Sequence, residues 1–235
     1  MIILGIETSS PYGGVAVIRD NSILADKTFT DEFIHGKELV LSIKEILENS
    51  HIKPAEIDVI AVCIGPGSYT GVRIGIACAK TLAWSLHCKL TGVSSLEALA
   101  FAVKHCSAKH IVPVIDGHRN SFYYAVFRID KDKITRVTPD SILSFGQVIN
   151  HIPADSLLTG NGLIKLQNHI TASNIEIGVK NKWYPNAETI ALIGKSLAEK
   201  GEFASPESLE PLYLRPSEAE AKFHVSVDIK QVSKR

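Results

Sequence analysis

Residues 63–75, "CIGPGSYTGVRIG", place a glycine-rich loop between an apolar, strand-like run and a helix-like run. Loops of this kind often bind phosphate, because free backbone N–H groups and a helix N-terminus attract anions. A P-loop requires G-x-x-x-x-G-K-[ST], but Val72 follows Gly71 where the lysine is needed. A dinucleotide-binding loop requires G-x-G-x-x-G and an acid about 20 residues later, where this chain has Thr91 and Gly92. The motif therefore excludes both common phosphate-binding loops.

The helix predicted after this loop carries a small residue at every fourth position. These residues are Gly71, Gly75, Ala79 and Ala83. A stripe without bulky side chains lets another backbone approach closely. Two interpretations follow: the stripe packs on the protein's own sheet, or it receives a helix from a partner.

Two acidic residues, Glu7 and Asp116, end strand-like runs in the two halves of the chain. The segment "IETSSPYGGVAVI" aligns without a gap with "IDGHRNSFYYAVF", and "CIGPG" aligns further on with "LTGNG". The shared order indicates a duplicated unit that ends in a Gly-x-Gly strand. We therefore predict two halves, residues 1–106 and 107–216. Residues 217–235 form a tail that is basic at its end, and we expect this tail to be mobile.

Hydrophobic periodicity predicts a mixed α/β fold for both halves. The predicted strands of the first half are 2–8, 14–19, 22–29, 58–64 and 89–93. The predicted helices are 34–50, 70–86, 94–105 and 186–201. The strand 58–64 lacks polar alternation, which indicates burial on both faces. A three-strand meander followed by alternating helices and strands is typical of a layered α/β domain.

The composition is that of an ordinary globular protein. The chain has 235 residues, 45% of them hydrophobic, and 25 basic residues balance 25 acidic ones. No net field therefore draws it to nucleic acid or to a membrane, so that contact with RNA must be local or made through a partner. The four cysteines form no C-x-x-C pair, which favours free thiols in a reducing compartment. The start has no signal-peptide pattern and no run is long enough to span a bilayer, so we predict a cytoplasmic protein.

The nine histidines form no recognisable metal-ligating or nucleophilic pattern. They include no H-E-x-x-H and no H-x-x-x-H, and the nearest candidate, His35 with Glu38, lacks a third ligand. No Ser/His/Asp arrangement is recognisable either. The sequence predicts no metal site and no hydrolytic triad.

Six motifs in order resemble those of the TsaB (YeaZ) family, bacterial proteins required for making threonylcarbamoyladenosine in tRNA. They are "IETS", "GPGSYTGVRIG", "AKTLAW", "GVSSLEALA", "VIDGHRNSFYYAVF" and "EPLYLRP". The resemblance covers the chain from its start to about residue 216. It implies a duplicated actin-like, ribonuclease H-like ATPase fold with two subdomains, each a mixed sheet flanked by helices. That fold agrees with the internal repeat.

The resemblance also implies a role beside a paralogous catalytic subunit, TsaD. Where TsaD has two metal-binding histidines, this chain has Ser95 and Leu99, which are unsuited to such a metal. We therefore expect a non-catalytic subunit without a strongly bound cofactor, with ATP and metal on the TsaD-type partner. The other implied associations are a TsaE-type ATPase, a homodimer when the chain is alone, and tRNA contacted within the complex. No membrane association is implied.

Two sets of candidate residues follow. The predicted helices 34–50 and 70–86 resemble the helices that form a bundle across the subunit interface in this family. The alternative is that both helices only cover the protein's own sheet, as helices of α/β folds do. The predicted interface residues are His35, Leu39, Val40, Ile43, Leu47, Gly71, Arg73, Ile74, Gly75 and Cys78. The residues of a vestigial nucleotide cleft are Glu7, Thr8, Ser9, Asp116, Gly117, Gly160 and Gly162.

An alternative function is an ATP-dependent enzyme of the actin and sugar-kinase type. It would use Glu7 and Asp116 to face the nucleotide and its magnesium, and the hydroxyls of "TSS" after Glu7 could meet phosphate. Against it, neither glycine motif offers an evident adenine pocket. A ribonuclease H-like nuclease needs several carboxylates around two metal ions, and Glu7 has no acidic companions in its half.

Overall fold

The computed structural model describes residues 1–29, 35–131 and 133–215, except for the side chain of His35. The predicted tail, residues 217–235, lies outside the described residues. Within them, the strands form a five-stranded and a seven-stranded sheet. The helices are α1 (His35–Asn49), α2 (Tyr69–Leu86), α3 (Ser95–Ala102), α4 (Phe145–His151), α5 (Leu163–Leu166) and α6 (Ala187–Glu199). No helix in this part of the chain is long and apolar enough to cross a membrane.

The first sheet is a meander extended by two parallel strands. Its strands are β1 (Ile2–Glu7), β2 (Gly13–Arg19), β3 (Ser22–Phe29), β4 (Val59–Gly65) and β5 (Lys89–Ser94). They lie in the order β3-β2-β1-β4-β5, with β1 antiparallel to β2 and parallel to β4. β1 is buried along its whole length and β4 along almost all of it. The unalternated apolar run of β4 follows from this burial on both faces.

The second sheet repeats this pairing. Its strands are β6 (His110–Asp116), β7 (Ser121–Tyr124), β8 (Phe127–Asp130), β9 (Lys133–Arg136), β10 (Ser141–Ser144), β11 (Ser156–Thr159) and β12 (Ile175–Ile177). The main order is β10-β7-β6-β11-β12, and β8 pairs with β6 and β9. β6 is antiparallel to β7 and parallel to β11, as β1 is to β2 and β4. The aligned glycines Gly65 and Gly160 both have positive φ, +93° and +106°. The predicted duplicated α/β fold is confirmed.

Helices from each half of the sequence pack against the sheet of the other half. α1 and α2 cover one face of the first sheet, and α6, from the second half, covers the opposite face. α6 approaches so closely that a Cβ at Gly5 would overlap the carbonyl oxygen of Ala187. α3, from the first half, places Leu96 and Leu99 against Ile111 of the second sheet. The two sheets therefore share their covering helices.

The small-residue stripe of α2 faces the protein's own first sheet. A Cβ at Gly71 would overlap the carbonyl oxygen of Thr8, and one at Gly75 would overlap the Thr8 hydroxyl. The stripe therefore seats α2 on the end of β1, and its predicted use as a groove for a partner helix is wrong.

Three more predicted interface residues, on α1, belong to the same core. Leu39, Ile43 and Leu47 are buried beneath α1 with the apolar side chains of the first sheet. Their helical spacing reflects the covering of the sheet, so their assignment to an outward surface is also wrong.

We predict that Gly71→Ala lowers the free energy of unfolding by about 1–3 kcal/mol, because the added methyl group meets main-chain atoms that cannot yield easily. Chemical denaturation monitored by circular dichroism measures this change. Gly146→Ala in α4 is the matched control, since no atom lies within 4 Å of its added Cβ. That control should be neutral or slightly stabilising. Equal stability of the two variants would contradict the packing assigned to Gly71.

Candidate functional site

A cleft of about 820 Å³ opens where strands of both sheets end at their carboxyl ends. This edge is where open α/β sheets bind ligands. Its walls are the glycine loop before α2, the β6–β7 turn and the C-terminal segment of the described chain. Polar side chains on the walls include Ser9, Ser10, Asp116, Arg119, Asn161 and Arg215. Aromatic walls come from Tyr69, Tyr123, Trp183, Tyr184 and Tyr213.

The glycine loop lies against the turn that follows β1. A Cβ at Gly67 would overlap the carbonyl oxygen of Ser9, and the same oxygen accepts a hydrogen bond of 2.8 Å from the N–H of Ser68. Ser68 also caps α2, because its hydroxyl accepts from the N–H of Gly71 at 3.2 Å. The glycines at 67 and 71 therefore permit contact between two main chains.

Glu7 lies inside this junction and is fully buried. Its Oε1 accepts from the N–H and the hydroxyl of Ser9, at 2.6 and 2.7 Å. Oε2 has no hydrogen-bond partner within the described ranges, and the Cys63 thiol lies beside the carboxyl. Burial raises the pKa of Glu7 above its ordinary value of 4.5, against the opposing effect of the hydrogen bonds from Cys63 and Ser9. Burial and the nearby Glu7 raise the pKa of Cys63 as well.

Asp116, the counterpart of Glu7, lines the cleft, but both of its oxygens have partners in the chain. Oδ2 forms an ion pair of 2.7 Å with Lys165, and Oδ1 accepts from the N–H of His118 at 3.0 Å. The N–H of Asp116 donates to the Asn161 side chain at 3.0 Å. These contacts join the ends of β6 and β11 across the sheet edge.

The predicted cleft residues divide into a wall and a layer behind it. Ser9, Asp116 and Gly117 line the cleft. Glu7 and Thr8 are buried, and the Thr8 hydroxyl donates to the carbonyl of Gly71 at 2.8 Å. Gly160 and Gly162 pack against the main chain of Val114. The nucleotide role of this set stays a prediction.

Of the β6–β7 turn the sequence predicted only Gly117 as a cleft residue, and it predicted no residue of the C-terminal segment. His118, Arg119 and Asn120 have φ of 59°, 49° and 57°, a run of left-handed conformations that is rare for residues with a Cβ. "HRN" after Asp-Gly signals a turn but gives no indication of this run. The motif "EPLYLRP" supplies Tyr213 and Arg215 to the wall, although nothing in its local pattern indicates where it packs.

The outward side of α1 and α2 forms a second surface of interest. Trp84, Val40 and Leu41 are exposed to 70%, 60% and 54%. Of the predicted interface residues, Val40 and Arg73 are exposed, while Ile74 and Cys78 are half-buried. We call the exposed group Val40, Leu41 and Trp84 the outer apolar face. A part in partner binding stays a prediction for these residues.

The positions aligned with TsaD histidines have internal roles. The Ser95 hydroxyl donates to the carbonyl of Pro66 at 2.5 Å, which ties α3 to the glycine loop. Leu99 is fully buried against the second sheet. In the part of the chain that the structure describes, no three His, Cys, Asp or Glu side chains form a metal-binding group.

Comparisons with known proteins support one family. The family profile described as "TsaD: tRNA N6-adenosine threonylcarbamoyltransferase" matches residues 32–223. The tRNA threonylcarbamoyladenosine biosynthesis protein TsaB of Bacillus subtilis (strain 168) is 31% identical, over 95% of this chain and 98% of that protein. The chain belongs to the TsaB family. It therefore has a role in the biosynthesis of tRNA threonylcarbamoyladenosine.

Other members agree in sequence and in fold. TsaB of Escherichia coli (strain K12) is 26% identical, with 92% of this chain and 95% of that protein covered. The structure of YeaZ from Pseudomonas aeruginosa superposes with a TM-score of 0.79 at 22% identity, covering 90% of this chain and all of that one. At this identity, the similarity to YeaZ shows that the two proteins share a fold over 90% of this chain.

We predict that Glu7→Gln changes the pH dependence of stability. The pKa of Glu7 is higher in the folded state than in the unfolded state. The stability that the protonated Glu7 contributes is therefore fully present below the unfolded-state pKa and is lost as the pH rises through the folded-state pKa. The stability of the wild type relative to Glu7→Gln should fall as the pH rises above the ordinary glutamate value of 4.5, by at most about 1.4 kcal/mol per pH unit. Denaturant titrations at several pH values measure it.

The exposed Glu202 provides the control, because Glu202→Gln should show no comparable trend in this pH range. A difference between wild type and Glu7→Gln that does not depend on pH would contradict a desolvated carboxyl at Glu7.

Proposed function

We propose that this chain is a non-catalytic subunit that pairs with and activates a metal-dependent TsaD-type subunit. The pair transfers threonylcarbamoyl to adenosine at the anticodon-adjacent position of tRNA. The outer apolar face, with Trp84 70% exposed, is the observation that carries the proposal. Tryptophan is enriched among the residues that dominate binding energy in interfaces, and Trp84 is the most exposed large apolar side chain of the described residues.

The inner side of the same helices supports this assignment. Leu39, Ile43 and Leu47 already satisfy the need of α1 to cover the first sheet. Val40 and Leu41 are apolar residues beyond that need, on a helix whose other outward positions include Lys37 and Lys44. A helix of a paralogous partner can pack on this side without any change in the core. We propose that the same surface forms the homodimer when the partner is absent.

The two carboxylates support a non-catalytic role. Glu7 is buried behind the cleft wall, and Asp116 is held by Lys165 and by the N–H of His118. An ATP-dependent enzyme needs such groups directed at the phosphates and their metal ion, so this geometry favours the subunit over the enzyme. We assign ATP and metal to the catalytic subunit, and we propose a TsaE-type ATPase as a further partner. tRNA is bound by the assembled complex.

We predict that Trp84→Ala combined with Leu41→Glu weakens binding to a TsaD-type subunit by about thirtyfold or more, since it removes an aromatic anchor and buries a charge. Titration calorimetry with purified proteins measures the affinity. Modified tRNA formed by the reconstituted complex should fall in parallel and recover at high subunit concentration. Val179→Glu, at another exposed apolar position, is the matched control and should change neither quantity.

Asp116→Asn separates the subunit from the enzyme. If the chain is a non-catalytic subunit, Asp116→Asn should leave both binding and tRNA modification within about threefold of wild type. The reason is that Asp116 contacts Lys165 and the N–H of His118 within the same chain. Loss of modification with unchanged binding and melting temperature would favour the ATP-dependent enzyme. Unchanged binding by the Trp84 and Leu41 variant would overturn the assigned surface.

A further inference from the structure

Residues 203–215, which we call the strap, return along the first sheet after α6. The N–H of Ala204 donates to the carbonyl of Leu90 at 2.9 Å, and the N–H of Leu212 donates to that of Ile64 at 2.8 Å. Between these bonds, Leu209 is buried in the core beneath α2. The strap is therefore fixed to the amino end of β5 and to the carboxyl end of β4, and the second of these contacts lies at the cleft.

The last described residue of the strap reaches the other side of the cleft. Arg215 donates through Nη1 to the carbonyl of Gly117 at 3.2 Å and through Nη2 to the hydroxyl of Ser121. Gly117 and Ser121 bracket the β6–β7 turn of the second sheet. One guanidinium thus joins the first sheet, by way of the strap, to the turn that forms the opposite wall.

The strap residue Tyr213 is also held by α2. Its ring stacks on Tyr69 with centroids 5.3 Å apart, and its hydroxyl accepts from Nε of Arg73 at 2.5 Å. The guanidinium of Arg73 lies 3.9 Å from the Tyr69 ring centroid. These contacts attach the strap to α2 next to Arg215. The position of the Arg215 guanidinium is therefore fixed by the first sheet and by α2.

The turn that Arg215 contacts has an unfavourable backbone. Three consecutive residues with a Cβ, 118–120, adopt left-handed conformations, which persist when surrounding contacts hold them. The turn has internal bonds, such as that from the N–H of Gly117 to the carbonyl of Ser121 at 2.9 Å. Arg215 adds two charge-assisted bonds from outside, and these are stronger than bonds between neutral groups.

Contacts away from the cleft mouth keep the two sheets together independently of Arg215. α3 packs on the second sheet, and the hydroxyl of Ser94 donates to Asp140 at 2.6 Å. Loss of the Arg215 hydrogen bonds would therefore allow the β6–β7 turn to move away from the strap, while the packing of α3 on the second sheet stays intact. A packed contact between the sheets, together with a side chain that bridges the β6–β7 turn and the strap, is the arrangement of a hinge with a latch.

We propose that Arg215 is a latch that holds the β6–β7 turn against the strap and thereby sets how far the cleft opens. With the guanidinium bound, the turn and the strap form opposite, connected walls. With it released, the turn moves away from the strap and the cleft interior becomes accessible to solvent and solutes. The device belongs to this chain alone and is independent of the proposed pairing.

Trp183 is a suitable reporter, because it lines the cleft, is buried, and is one of two tryptophans in the chain. In a Trp84→Phe background its fluorescence is observed alone. Adding Arg215→Ala should raise acrylamide quenching of Trp183 about twofold, as expected for a locally opened state. Hydrogen exchange of the amides of Gly117 and Ser121 should accelerate about tenfold, since two charge-assisted bonds are lost.

Arg128→Ala, at an exposed arginine on β8, is the matched control and should change neither signal. Arg215→Lys keeps the positive charge but cannot reach both acceptors with a planar fork, so it should give a smaller change in the same direction, which keeps the test valid if Arg215→Ala unfolds. Faster exchange with unchanged Trp183 quenching would overturn the latch and leave a purely local contact. Unchanged exchange would overturn it as well.

Discussion

The arrangement of the first half depends on the contact between two main chains, those of the glycine loop and of the turn after β1. Gly67 and Gly71 have no Cβ where Ser9 and Thr8 approach, and hydrogen bonds from Ser68 and Thr8 close the contact. Since this contact seats the N-terminal end of α2, it decides which side of the helix is buried. Trp84 lies on the side of α2 that remains exposed.

The duplication gives the second half the same solution. Gly160 and Gly162 approach the main chain of Val114, as Gly67 and Gly71 approach the first turn. In both halves, glycines that follow a strand allow close contact between the main chains of neighbouring segments. The acidic residues have meanwhile diverged, because Glu7 became an internal acceptor and Asp116 a surface ion-pair partner.

The sequence predicted the strands of the first half, the helices α1, α2, α3 and α6, and the duplication, because periodicity and Gly-x-Gly spacing are local signals; it did not predict most of the short strands of the second sheet. It also identified α1 and α2 as the helices of interest. It did not separate their two sides, since Leu39 and Val40 are equally apolar and only tertiary packing distinguishes them. The burial of Glu7 and the place of Arg215 depend on contacts over long sequence distances. The positive φ values of the β6–β7 turn likewise leave no pattern in residue type.

The exchange of covering helices has a consequence for how the chain is made. β1 begins at Ile2, but the helix that covers one of its faces, α6, ends at Glu199. Synthesis proceeds from the N-terminus, so the meander exists for most of translation with one apolar face uncovered. Such long-range closure slows folding and exposes apolar surface to other molecules. The nascent chain therefore exposes an apolar sheet face that the finished protein buries.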